Sequence, residues 1–419
     1  MTQRNPSSDR PSFHSKGPSG KGLWIALGGL GALAVVAVLV AAYWPAKERP
    51  VVAPSAAAAN DATLVAYHRR RGVMNTVVNL TAVAGKNQAR LAETTFDEVQ
   101  ALLADVEKRM SSHRPDSELS RLNAAPVGQS VALSVETLAV LRQARDFSTL
   151  TDGAFDVTCR PILETWRKAA KAGARPTEAE IQRAVEDTGW RWFRLTPDGA
   201  VRDRETATID LGGIAKKHAI DRAVELMIKR GLAGGMVDIG GDIRCFGRPA
   251  EGDLWRIGLR NPFAEERDAL MAVVAIGSGA VCTSGNYERF VKIGDRRYSH
   301  IADPRTGLPC EHAPSVSVVG PDAASAGLWA TTLCVLGLEG LKRMPPDANL
   351  EALMVVGDSP EDSRWYRTKG IDRLLVDRPG EPPTEIPFAP GDEGAGPRPA
   401  GTQRPPKAKE LSEPGASAS

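Results

Sequence analysis

The chain has 419 residues, 25% of them charged, with a formal net charge of +2. That balance is ordinary for a globular protein and carries no basic excess demanding a nucleic-acid partner. Cys159, Cys245, Cys282, Cys310 and Cys334 form no CxxC pair, which argues against a cysteine metal site, and their odd number argues against a full disulfide framework.

In chain order, the first feature is Leu23–Trp44, an apolar run with no charged residue and about the length that crosses a bilayer as a helix. Trp24, Tyr43 and Trp44 lie at its edges, where amphipathic rings favour the membrane interface. Arg4, Arg10, Lys16 and Lys21 precede it, which orients residues 1–22 to the cytoplasm and the bulk of the chain to the outer side of the membrane. A single-pass anchor is expected. A cleaved signal peptide is the alternative, because Ala41, Ala42 and Ala56–Ala59 supply small residues nearby. Residues 45–60 read as a Pro/Ala linker. Residues 379–419, nearly devoid of large apolar side chains, read as a disordered tail. One folded unit is expected over 61–378.

Within it, Leu64–Tyr67 and Thr76–Val83 are rich in β-branched or aromatic residues and predict strands. Apolar spacing predicts a helix over Thr94–Met110, and Ser134 is placed to cap another carrying Leu138, Leu141 and Ala144. Thr177 and Glu180 form a capping-box pattern ahead of a helix over Ile181–Asp187. Ala215–Arg230 predicts a helix stopped by Gly231. Met236–Ile239, Leu254–Leu259, Met271–Ile276 and Ser315–Val319 predict strands, and Ala323–Leu336 a further helix. Helices and strand groups without regular βαβ alternation give an α+β fold class.

Five segments carry polar groups on glycine-punctuated turns. Arg297–Gly307 (RYSHIADPRTG) packs His300, Asp303, Arg305 and Thr306 beside Pro304, which fixes φ, and Gly307, which frees it. Thr151–Thr158 sets Asp152 and Asp156 around Phe155; read locally it is a helix-ending turn followed by a strand. Ile209–Lys216 (IDLGGIAK) leads paired glycines into a helix N-terminus, where amides and the helix dipole favour a phosphate. Asp238–Asp242 (DIGGD) is a second double glycine, and Thr283–Arg289 a hydroxyl-rich turn. The P-loop pattern, GxGxxG after a strand and GxSxG are all absent, which disfavours a kinase, a dinucleotide-dependent dehydrogenase and a serine hydrolase.

In this order, together with Glu118–Asn123 (ELSRLN) and Asp221, these segments resemble the ApbE family of flavin transferases over about residues 67–337. The resemblance implies a T-fold-like α+β domain of two subdomains with a flavin site between them. It implies FAD as substrate, cleavage of its pyrophosphate, and attachment of FMN to a threonine or serine of a partner flavoprotein of a membrane redox system, with AMP leaving. It places FAD against Met74, Ser120, Asn123, Asp156, Asp210, Gly212, Gly213, Lys216, Asp221, Gly240, Gly241, Thr283, Ser284 and Gly285. It gives His300 the task of orienting or deprotonating the acceptor hydroxyl, with Asp303 and Thr306 supporting the loop or simply stabilising its turn. A Mg²⁺ site is implied on the backbone carbonyl of Ala215, on Thr331, and on an aspartate four residues before it.

That last position holds Gly327, so the cation loses its anionic ligand. Asp322 would replace it only from a bent entry loop. Lys217–His218 stand where the family has Gly-Tyr, and Asn75 where it has glycine. Helical periodicity turns Lys217 toward solvent; the alternative is an ammonium supplying part of the missing charge. Two functional readings follow: an active transferase with a weakened or rearranged cation site, and a degenerate relative that binds FAD or a partner without transferring FMN. A metal-dependent FAD pyrophosphatase is a third, and Gly327 weighs against it most.

Overall fold

The strands that frame the molecule follow one another in space as they do in sequence. The computed structural model describes residues 63–266, 269–286, 290–311, 313–377 and 385–388. Leu23–Trp44 and the linker lie outside these residues. Among the described residues no helix is long and apolar enough to cross a membrane.

The main sheet has nine strands: β1 (Leu64–Val73), β2 (Thr76–Gly85), β3 (Gly234–Ile239), β4 (Asp242–Gly247), β5 (Gly279–Ser284), β6 (Ser315–Gly320), β7 (Glu351–Val356), β8 (Arg364–Thr368) and β9 (Glu385–Phe388). They lie side by side in that order. Each neighbouring pair through β8 is antiparallel, and β9 joins β8 in parallel. β9 falls inside the expected disordered tail. Pro387 is tolerated there because the strand is at the sheet's edge.

Eight α-helices accompany the sheet among the described residues: α1 (Ala89–Met110), α2 (Glu118–Ala124), α3 (Val135–Leu150), α4 (Arg160–Ala172), α5 (Glu178–Glu186), α6 (Ala215–Lys229), α7 (Ala323–Leu336) and α8 (Leu338–Arg343). Ser134 caps α3 by accepting from Thr137 N, and Thr177 and Glu180 complete the capping box of α5. α6 ends at Lys229, with Gly231 in the left-handed region beyond it.

α4 was not expected, since Thr151–Thr158 was read as leading into a strand. The segment makes a single parallel bridge, Cys159 to Thr208, and then turns helical. Pro161 sits in the first turn, Ile162, Trp166 and Ala169 line one buried face, and Gly173 closes the helix at φ 69°.

One face of the sheet packs on a second sheet built from 255–260, 270–276 and 375–377. Val83, Cys245, Val281, Leu353 and Val355 meet Trp255, Ile257, Leu259, Met271 and Val274 there. α6 and α7 contact the sheet strands as well as each other. Between β2 and β3 the chain inserts residues 86–233, and between β5 and β6 residues 285–314. Residues from 63 onward belong to one compact unit.

Candidate functional site

Two hairpin tips abut at one end of the sheet. Met74 and Asn75 join β1 to β2 with φ of 53° and 56°, and Gly240 and Gly241 join β3 to β4 with φ of 66° and 92°. Both are two-residue turns of the kind whose twist matches paired strands. A Cβ on Gly240 would lie 2.6 Å from Thr76 Oγ1, so only glycine lets the tips meet. Asp238 fixes the second tip by accepting from Gly241 N (2.8 Å) and from Asn79 Nδ2 (2.9 Å). Met74 accepts a conformation that a bulky side chain resists, the kind of strain that collects at binding sites.

The IDLGG turn delivers the chain to the N-terminus of α6. Asn123 clamps Ile209, donating to its carbonyl and accepting from its amide, both at 2.8 Å. Its amide therefore holds the turn that the resemblance sets against FAD. Asp210 accepts from Gly212 N (2.7 Å) and from Ser112 Oγ (3.0 Å). The Gly212 amide, expected to meet a phosphate, is engaged by that carboxylate instead. A Cβ would sit 2.8 Å from Asp210 Oδ1 at Gly212 and 3.2 Å from the Phe155 ring at Gly213, which explains both glycines. Ile214 gives α6 no side-chain cap, Ala215 N donates to Leu211 O (2.8 Å), and half-buried Lys216 stands in the first turn. Ala215 is its buried first residue. Ser120 lies on α2 with its hydroxyl 3.4 Å from Ser111 O.

Asp156 is an internal knot. It accepts from Thr158 N (2.8 Å), Thr158 Oγ1 (2.7 Å) and Ser148 Oγ (3.2 Å), and burial pushes its carboxyl above the usual range. These bonds shape the segment that the resemblance sets against FAD. Asp221 is also spent internally: it accepts from Arg244 Nη1 (2.8 Å) and from the first two amides of α7, Ala323 N (2.8 Å) and Ala324 N (2.9 Å). Burial holds its carboxyl up to about 6 against the pull of Arg244.

The His300 turn also lies against Thr151–Thr158. Gly153 faces Arg305 Cγ (3.7 Å for a built Cβ), while Phe155 of the same segment faces Gly213. The polar residues of the turn mostly bind each other. Asp303 accepts from Arg305 N (2.9 Å), Nε (2.9 Å) and Nη2 (2.7 Å), and Thr306 Oγ1 accepts from Leu308 N (3.3 Å). Gly307 (φ 73°) leaves no room for a Cβ against Ile181 and Val185, and its carbonyl accepts from Trp166 Nε1 (2.8 Å). Asp303 and Thr306 thus stabilise the turn, and the turn presents an exposed His300. An open pocket of about 430 Å³ adjoins it, lined in part by Phe263, Asn286, Phe290, Ser299 and Cys310.

The third group of residues lies on β5 and α7. Thr283 Oγ1 pairs with Ser317 Oγ (2.8 Å), and Ser284 Oγ lies 3.2 Å from Thr331 Oγ1; Gly285 follows, buried. Thr331 donates to Gly327 O (3.1 Å). Here the reading of Lys217 is corrected. Its side chain is 7% exposed, not turned to solvent, and its Nζ lies 3.1 Å from Oδ2 of Asp242, whose side chain is 6% exposed. A buried pair such as this was not visible from helical spacing, because its partner arrives from β4. Asp322, the one alternative carboxylate, caps α7 by accepting from Ser325 N (2.7 Å). No cluster of three His, Cys, Asp or Glu placed to hold a metal exists among the described residues. The donors at Ala215 and Thr331 therefore lack the carboxylate a hard divalent cation requires, and Mg²⁺ does not fit them.

A nine-stranded, mostly antiparallel sheet accompanied by helices, with glycine hairpin tips, the α6 N-terminus and a histidine turn carried on it, is the α+β architecture that the sequence predicts. A profile of the ApbE family matches residues 74–354, and the chain belongs to that family. Its relatives include the FAD:protein FMN transferase of Vibrio cholerae, 32% identical over 268 residues, 63% of this chain and 80% of the relative. That of Salmonella typhimurium is 28% identical over 78% of this chain and 93% of the relative. Among solved structures, the ApbE protein of Thermotoga maritima superimposes with a TM-score of 0.67 at 27% identity, covering 75% of this chain and all of its own. The flavin transferase ApbE from Vibrio cholerae gives 0.65 at 28% identity, covering 74% and 100%.

Proposed function

We propose that the chain is an FAD:protein FMN transferase that works on a flavoprotein of a membrane redox system. The observation that carries the reading is that the turn leading into α6 and the His300 turn both pack on one segment, Thr151–Thr158. FAD would set its diphosphate toward α6, whose dipole and Lys216 favour the anion. The acceptor hydroxyl would enter beside His300. Its oxygen attacks the FMN-side phosphorus, and the bond from that phosphorus to the bridging oxygen breaks. AMP leaves with the bridging oxygen, and the hydroxyl proton passes to the His300 imidazole. Asp303, Thr306 and Trp166 act through the turn, holding His300 in place. Mg²⁺, expected from the resemblance, takes no part in these steps because the donor set does not fit it.

The apolar run Leu23–Trp44 belongs to the same proposal. It would tether the enzyme to the inner membrane with residues 63–388 on the periplasmic side, beside acceptors anchored in the same bilayer.

The test is incubation of the purified chain with FAD and a flavin-acceptor domain. Covalent FMN on the acceptor, read by mass, together with an equal amount of AMP is the expected result. FMN released free would make the protein a pyrophosphatase instead. FAD bound but never cleaved would make it a degenerate binder, the reading that Gly327 alone favours.

A further inference from the structure

The two departures at positions 217 and 327 are one structural event. Gly327 is buried on α7, and a Cβ built on it would fall 2.6 Å from Lys217 Cγ and 3.0 Å from Cδ, with Cε closer still. The lysine stem fills the space a side chain at 327 would need. An aspartate there and this lysine conformation exclude each other. The ammonium is held by Asp242, the residue that follows the Gly240–Gly241 tip. Lys217 itself lies in the first turn of α6, at the helix end just assigned to the diphosphate. A fixed cation therefore stands where α6, the second hairpin tip and α7 converge, one helical turn from Thr331.

The carboxylates that would compete for a metal here are committed. Asp221 holds Arg244 and the α7 amides, Asp322 caps α7, Asp238 braces its own hairpin, and Asp210 holds Gly212. A divalent cation bound by an aspartate at 327 and a lysine beside a glycine each add one net positive charge next to Asp242, which here pairs with the ammonium. The cost of burying the ammonium is offset by Asp242. Cys282 marks how dry the place is, its thiol pushed well up by burial and by the negative charge of Asp242.

We infer that the Lys217 ammonium, positioned by Asp242 and admitted by Gly327, is a built-in replacement for the divalent cation at the FAD diphosphate, so that this transferase works without metal. The inference rests on the transferase reading for its substrate. It assigns Lys217 and Asp242 a task beyond holding α6 to β4.

The experiment measures FAD affinity by flavin fluorescence and FMN transfer by mass on the full chain, in EDTA and across a Mg²⁺ titration. The expected result is a change of less than about twofold in both quantities, with about tenfold loss of FAD affinity in Lys217→Met and partial rescue in Lys217→Arg. Stimulation by Mg²⁺ of tenfold or more overturns the inference while leaving the transferase reading intact. Unchanged FAD affinity in Lys217→Met overturns it too. Should that variant fail to fold, Lys217→Met combined with Asp242→Asn removes the stranded carboxylate and is judged by the same affinity. Calorimetry with Mn²⁺ adds a readout free of activity. Wild type should bind none at this place, and Lys217→Gly with Gly327→Asp should bind it and become metal-dependent; tight Mn²⁺ binding by wild type that strengthens FAD binding counts against the inference. If no sample transfers FMN, the function reading fails, and the FAD affinities alone decide the role of Lys217.

Discussion

Replacing Gly327 by alanine asks whether Lys217 is locked across α7. In an ordinary helix interior the change would stabilise by about 1 kcal/mol, because alanine loses less backbone entropy than glycine. Here the new methyl would lie 2.6 Å from Lys217 Cγ and 3.0 Å from Cδ, inside the ~3.5 Å at which carbons touch comfortably. A loose lysine would swing aside at little cost. This one is buried at both ends, with its ammonium on Asp242, so displacing it strains a desolvated pair. Overpacking of about 1–3 kcal/mol outweighs the propensity gain, and a net loss of about 1–2 kcal/mol is expected in urea unfolding. In a double-mutant cycle with Lys217→Ala the same alanine should become neutral or stabilising, a coupling of about 1–3 kcal/mol. Additive effects, or stabilisation by Gly327→Ala alone, would refute the reasoning.

Other expectations follow from the same geometry. His300→Ala should lower FMN transfer by about 10²–10⁴-fold and leave the unfolding midpoint unchanged, since the side chain is exposed; a large loss of stability would give His300 a structural role instead. Gly307→Ala meets both a φ of 73° and the methyls of Ile181 and Val185, so it should cost about 2–4 kcal/mol and reduce transfer with it. Asp221 binds its proton more tightly when folded, at about 6, than in the unfolded chain. Its contribution to stability is therefore complete below about pH 4 and is lost as pH rises through 6, a swing of at most about 3 kcal/mol. The difference in urea midpoint between wild type and Asp221→Asn, followed from pH 4.5 to 7.5, should drift against wild type by part of that amount; drift in its favour contradicts the assignment.

Periodic and capped elements were readable from the chain. Ser134, the Thr177–Glu180 box and the Gly231 stop each announce a helix end through local hydrogen bonding, and each is found where the residues place it. α4 carried a signal that was available, Pro161 followed by Ile162, Trp166 and Ala169 at helical spacing, but the aspartates and glycine ahead of it read more strongly as a turn. The site motifs were legible as segments and less so as roles. Asn123 and Asp221 look like ligands in a linear motif, yet they bond backbone groups far along the chain, which no spacing reveals, while Asp156 bonds Thr158 and Ser148 close by. Lys217 shows the limit most clearly. Both it and Gly327 stood out as departures, but their dependence on each other is a contact between two helices distant in sequence.

The sheet's strand order has a consequence for how such an enzyme can diversify. Residues 86–233 leave the sheet after Gly85 and return at Gly234, which sits opposite Val83; residues 285–314 leave after Ser284 and return at Ser315, whose neighbour Val316 sits opposite Ser284. Each excursion thus begins and ends at adjacent points on one fixed rack, so its interior can lengthen, shorten or change composition without altering strand pairing. The first excursion carries the α6 end of the site and the second carries the His300 turn. Acceptor preference can accordingly drift through one graft while nucleotide handling stays with the other.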